Sequence, residues 1–307
     1  LILELDSPWK DTLDDYLEEL LRSFCPETHA LVDWSYPVEN LETELPKLIR
    51  DGELGRTIAD RLYRVRERGT AEPLYLLIHA EVQSQRDEEL AHRMFVYHYR
   101  IKDAYGRAPI GLAILGDTSE SWRPDHYEWI RGRTRLRYEF ESLKLWDWRH
   151  RIEELEAMPG FIGSAVLAHL QSQLTRNDPT GRMEWKWRLM RRLYDKGYGP
   201  EEIRRAFRII DWFLNLPPEL ERQLTLRAVE FEKEHIVPYV WSVERMAKED
   251  GRRENITLAL KAKFGDAGVR YVETELATAD SLLLDRVITT FFLFNTLDEL
   301  RASIARP

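Results

Sequence analysis

Cysteine is nearly missing from this chain. A single Cys25 among 307 residues excludes an internal disulfide framework and any multi-cysteine zinc site, and fits a reducing compartment. At the end of an amphipathic segment it reads as a small buried hydrophobe. Long apolar runs are missing too. None nears the roughly 20 residues that a membrane helix needs, so no membrane association is expected. The opening LILELDSPWKD has no basic n-region and soon turns acidic, unlike a signal peptide. The expected product is soluble and cytoplasmic. Neither a G-x-x-x-x-G-K-[ST] loop nor a G-x-G-x-x-G turn, G-x-S-x-G elbow or H-E-x-x-H helix occurs, which sets nucleotide-driven motors and serine hydrolases aside. Positive charge is not in surplus either. A formal net charge of −9 opposes sequence-blind binding to polyanions, whose affinity comes from Lys and Arg neutralising phosphates, although local fields still matter.

What is present is a globular composition, 43% hydrophobic and 32% charged, long enough for one large domain or several smaller units. Trp9, Leu13, Tyr16, Leu17, Leu20, Leu21 and Phe24 recur at helical spacing, and Pro26 is expected to close that helix. After a Pro-punctuated stretch, IADRLYRVRERG shortens toward strand alternation, and LYLLIHAEVQ is apolar enough for a central strand. Asp87 to Asp103 returns to helix, APIGLAILGD reads as a buried strand, and RTRLRYEFESLKL as a further half-exposed one. This order predicts an α/β core with a mixed sheet over residues 1–150. A helical region over 151–247 and a small helical unit over 252–307 follow, separated by the polar break KEDGRREN.

The chemistry gathers where the central strand ends. On a strand, His79, Glu81 and Gln83 share one face, and Asp60 on the preceding strand lies on the face of Leu62. If these strands are neighbours, Asp60 and Glu81 converge. Two such carboxylates suit a hard divalent cation, with water and a substrate phosphate completing its shell. His79 reads as a core or supporting group, and His92 and His98 receive no role.

The run from IADRLYRVRERG through LYLLIHAEVQSQRDEELAHRMFVYHYRI resembles the core of the PD-(D/E)XK nuclease superfamily, in the branch of Rpn-type recombination-promoting nucleases and transposase-like proteins. The resemblance rests on Asp60, on Glu81 and Gln83 followed by Ser84 and Gln85, and on Arg93 and Tyr97 in the next helix. It covers roughly the first half of the chain strongly and the carboxyl-terminal ALKAKFG and FNTLDEL more weakly. It implies a restriction-endonuclease-like fold and a DNA endonuclease that hydrolyses phosphodiesters with Mg²⁺, or Mn²⁺ in its place. Asp60 and Glu81 would hold the metal, Gln83 would stand where the superfamily usually has Lys, and Arg93 would stabilise phosphate charge. A further acid before the first motif strand is matched best by Glu44, with Glu42 and Asp11 as rivals. The alternative is an inactive nuclease fold that binds DNA or protein, and a homodimer is compatible with either.

Basic residues offer a path for nucleic acid. Arg86, Arg93, Tyr97 and Arg100 recur on one side of the predicted helix. Arg131, Arg133, Arg135 and Arg137 alternate, so that on a strand they would line one face. In RMEWKWRLMRR the mixture of cations and Trp reads as a solvated helix face with Trp in the core.

Overall fold

A computed structural model describes residues 6–41, 43, 60–70, 72–81, 87–235, 256–261, 263–276, 281–291, 294 and 296–304. For Asp60, His79 and Glu81 it describes the backbone alone. The chain forms two compact units, Leu1–Arg176 with Arg208–Leu214, and Asn177–Phe207 with Asn215–Pro307. Among the described residues no helix is long and apolar enough to cross a membrane.

In the first unit, α1 (Asp6–Phe24) buries Trp9, Leu13, Leu17, Leu20 and Leu21, the stripe that 3.6-residue periodicity dictates. Pro26 does not merely close it. Pro26 opens a second short helix, α2 (Pro26–Leu31), where its fixed φ and missing N–H suit the first helical position.

The strands are β1 (Glu39–Asn40), β2 (Asp60–Arg66), β3 (Pro73–Glu81), β4 (Ile110–Leu115), β5 (His126–Arg131), β6 (Thr134–Glu139) and β7 (Glu141–Lys144). Five of them make a mixed sheet in the order β1-β2-β3-β4-β7. β3 pairs antiparallel with β2 and parallel with β4, and β4 pairs parallel with β7. Parallel neighbours need a crossover. Between β3 and β4 it is α3 (Leu90–Tyr105); between β4 and β7 it carries the separate β5–β6 hairpin. That hairpin corrects the sequence reading. RTRLRYEFESLKL is two strands in two sheets, parted at Phe140, whose N–H donates to the Asp125 carbonyl at 2.9 Å.

Both faces of the central strand are covered, as its apolar run requires. Leu62, Leu77, Ala113 and Leu115 pack with Leu90, Met94, Tyr97 and Ile101 of α3. On the opposite face, Asp14 of α1 accepts from Arg61 Nη2 at 2.9 Å, the Tyr63 hydroxyl at 2.7 Å and Asn40 at 2.8 Å. One carboxylate thus ties α1 to β1 and β2.

The first unit runs past residue 150 because α5 (Ile162–Leu174), which follows α4 (Ile152–Ala157), is fastened to α1. The Glu19 carboxylate accepts the backbone N–H groups of Phe161 at 2.7 Å and Ile162 at 3.1 Å, satisfying donors that a helix start leaves open. Farther along, Trp9 Nε1 donates to His169 Nδ1 at 3.4 Å. The proton therefore sits on Nε2, which donates to the Gly116 carbonyl at 2.9 Å. Burial holds His169 neutral and lowers its pKa to about 4.

The second unit contains α6 (Pro179–Asp195), α7 (Pro200–Phe213) up to Phe207, and α8 (Pro218–His235). Trp187, Met190, Leu216, Leu224 and Ala228 form its core. Trp187 is in the core as its spacing suggests, but Lys186 is not on a solvated face. It is fully buried and bonds Glu221 at 2.9 Å. The carboxyl-terminal part, with α9 (Asp266–Thr274), α10 (Ser281–Thr290) and α11 (Leu297–Ile304), closes around Ile256, Leu260, Tyr271, Leu284 and Leu300. The break KEDGRREN lies outside the described residues.

Two outcomes follow from these buried groups. Glu221→Ala leaves the Lys186 ammonium without its carboxylate and should cost about 3–5 kcal/mol in urea unfolding, while the Lys186→Met, Glu221→Leu pair should be close to neutral. His169 has a folded pKa of about 4, below the ordinary value near 6.5. The stability it contributes is therefore complete above about pH 6.5 and is lost as pH falls toward 4, by roughly 3 kcal/mol at 1.36 kcal/mol per unit. Urea midpoints between pH 4 and 7 should show this decline in the wild type and a flatter profile in His169→Gln.

Candidate metal and nucleic-acid site

Asp60 opens β2 opposite His79, and Glu81 ends β3 two residues farther on. Paired positions share a face and alternate positions along a strand share it again, so 60, 79 and 81 form one row. Diagonal neighbours of this kind have Cα atoms about 7–8 Å apart. The row continues through Leu62 and Leu77, on the α3 side of the sheet. The backbone therefore brings together the two positions at which the carboxylates were expected. Glu44, Gln83, Ser84, Gln85, Arg86 and the rival Glu42 lie outside the described residues.

Asp11, the other rival, belongs elsewhere. It is on α1, which covers the opposite face, and partial burial followed by Asp14 and Asp15 holds its pKa above the usual range, against Arg208 and Arg61.

The row meets the carboxyl ends of three parallel strands. Glu81 is opposite Leu115, and Leu115 is opposite Lys144, which puts all three at the edge where ligands sit in open α/β sheets. Lys144 went unremarked in the sequence because its partner is far back in the chain. Its ammonium is buried, bonds the Asp117 carboxylate, and donates to the Trp122 carbonyl at 3.3 Å. Burial lowers its pKa and Asp117 opposes the shift. Two strand spacings, roughly 9–10 Å, separate Lys144 from Glu81, so the pair's direct effect is to fix the segment after β4. Asp117 also accepts from Ser119 N at 2.8 Å, and His169 holds Gly116.

Arg93 and Tyr97 turn toward the sheet rather than outward. Leu90, Arg93, Met94, Tyr97 and Ile101 are the buried positions of α3. Arg93 Nη1 donates to Asp87 Oδ2, a charge-assisted bond to the segment leading out of β3. Tyr97 is 3% exposed within the α3 core, which makes it a packing residue and corrects its expected place on a nucleic-acid surface. The side that Arg93 and Tyr97 were expected to present to phosphate is the side that packs.

The four alternating arginines are not on one strand. Arg131 ends β5, Gly132 with φ 58° and Arg133 form the turn, and Arg135 and Arg137 are on β6. Arg137 is held by Glu128 at 2.9 Å and Glu139 at 2.8 Å. The hairpin packs on α3 through Tyr127, whose ring stacks on Phe95 at 5.2 Å.

Among the described residues no group of three or more His, Cys, Asp or Glu gathers in the manner of a metal site; the side chains of Asp60 and Glu81 are not among those described. Comparison with family models, curated proteins and solved structures finds no match.

Proposed function

We propose that this protein is a metal-dependent DNA endonuclease with a PD-(D/E)XK type, restriction-endonuclease-like first unit, resembling the Rpn-type branch. The observation that carries the reading is the β2–β3 register, which aligns positions 60 and 81 in one row at the carboxyl end of the parallel strands. Asp60 and Glu81 would hold Mg²⁺ or Mn²⁺, with Glu44 as the candidate additional acid. Two carboxylates leave room in an octahedral oxygen shell for water and a substrate phosphate, which is the donor set such an ion takes. When bound, the ion supplies a more acidic water and neutralises charge on the phosphodiester. Gln83 brings an amide in place of a cation and can orient a partner only by hydrogen bonding. Arg93 would contribute charge to the substrate in competition with Asp87. The reading also implies a DNA partner and a cytoplasmic location, and it is compatible with a homodimer.

The second reading is a nuclease fold that binds DNA or protein without cutting. It is favoured by the bond of Arg93 to Asp87, which already offsets the cation on which catalysis without the usual Lys would draw.

Cleavage of linear, circular and single-stranded DNA with Mg²⁺, Mn²⁺ or EDTA separates the two. The nuclease reading expects metal-dependent cutting that falls by about a hundredfold or more in Asp60→Ala and in Glu81→Ala, the scale of losing one preorganised electrostatic group, with unchanged melting curves. No cutting of any substrate, or equal cutting by the variants, would refute it and advance the binding reading.

A further inference from the structure

The β5–β6 hairpin carries its charge in an unusual way. Many exposed arginines of the first unit are bound to carboxylates, among them Arg64 to Glu39, Arg123 to Asp147, Arg151 to Glu154 and, on the hairpin itself, Arg137 to Glu128. Arg131, Arg133 and Arg135 are exposed, and among the described residues none of them forms an ion pair. They surround one two-residue turn, in a chain whose net charge is −9.

The register distributes them around the tip. Arg131 shares a face with Trp129, Arg135 lies across from Ile130 on the other face, and Arg133 is in the turn. Trp129 and Ile130 are 41% and 48% exposed. The hairpin is rooted on α3 by the Tyr127–Tyr138 pair, with Tyr127 against Phe95 and His92. Arg131 is four residues beyond Tyr127, so the charged tip is about 13 Å past that root at 3.3 Å per residue.

We propose that this tip grips duplex DNA, with the three arginines on phosphates and the ribbon entering a groove. The proposal rests on DNA being the ligand in the function proposed above and adds where, apart from the 60 and 81 row, the duplex is held. A two-stranded ribbon fits the major groove, about 12 Å wide, and guanidinium groups that owe nothing to a neighbouring carboxylate are free to form charge-assisted bonds to phosphates on either wall. Cations on both faces and at the turn match a groove bounded by two phosphate rows better than a flat surface, which would engage one face.

The test is fluorescence anisotropy of the full chain with a labelled duplex in EDTA, across a salt series. Arg131→Gln, Arg133→Gln and Arg135→Gln combined should weaken binding at least about tenfold and reduce the log–log salt slope by about 2–3, near 0.9 per phosphate contact. Arg123→Gln with Arg151→Gln, which removes two ion-paired cations, should leave the slope as it is. Wild-type affinity and slope in the triple variant would overturn the proposal. So would Arg-dependent binding to phosphatidylserine vesicles or polyglutamate without duplex binding. Cutting by Asp60→Ala and Glu81→Ala is read separately: tip-dependent binding without metal-dependent cutting rejects the nuclease and keeps the grip, and cutting with tip-independent binding does the reverse.

Discussion

The antiparallel ladder between β2 and β3 is the constraint on which the first unit depends. Because side chains alternate, one pairing register decides at once what meets α3 and what meets α1. A slip of β2 by one residue would send Leu62 out of the α3 core and carry Arg61 and Tyr63 away from Asp14. The two faces enforce each other. One is held by apolar packing and the other by a carboxylate with three side-chain partners, so no shifted register satisfies both.

The same ladder builds the candidate site without strain. Strand ends are where backbone pairing stops and side chains can serve a ligand, and β3, β4 and β7 finish along one edge. Around that edge the fold uses fixed polar anchors. The buried Lys144–Asp117 pair and the His169 and Gly116 contact hold the segment after β4, while Asp87 and Arg93 fix the entry to α3. Buried ionic groups of this kind add little net stability over apolar replacements, but losing one partner is costly. Their use here is to keep the walls of the edge in place.

Much of this was legible in the sequence. LYLLI announced a central strand because continuous apolar residues need two covered faces, and the alternation in IADRLYRVRERG put Asp60 on the face of Leu62, as the register has it. Local periodicity was less informative where long-range contacts decide the outcome. The alternation of Arg131, Arg133, Arg135 and Arg137 looked like one strand face, but Gly132 supplies the positive φ that turns the chain back, and the Gly-Arg pair inside a run of strand formers was the available signal. Lys186 looked solvated among its charged neighbours because the Glu221 that neutralises it is 35 residues away. Tyr97 and Arg93 share a helix face as their spacing required, yet spacing alone could not say that the face was inward. The row at 60 and 81 was foreseeable only on the assumption that two strands were neighbours, and that assumption the backbone supports.

The central claim is that Asp60 and Glu81 form a divalent-cation site, and it can be examined without DNA or catalysis. Electron paramagnetic resonance of Mn²⁺ titrated into the full chain counts bound ions directly. The account predicts Mn²⁺ bound at one principal site, displaced by excess Mg²⁺ and lost in both Asp60→Ala and Glu81→Ala while the fold is retained. Mn²⁺ binding that is absent from the wild type, or equal in all three proteins, would contradict it.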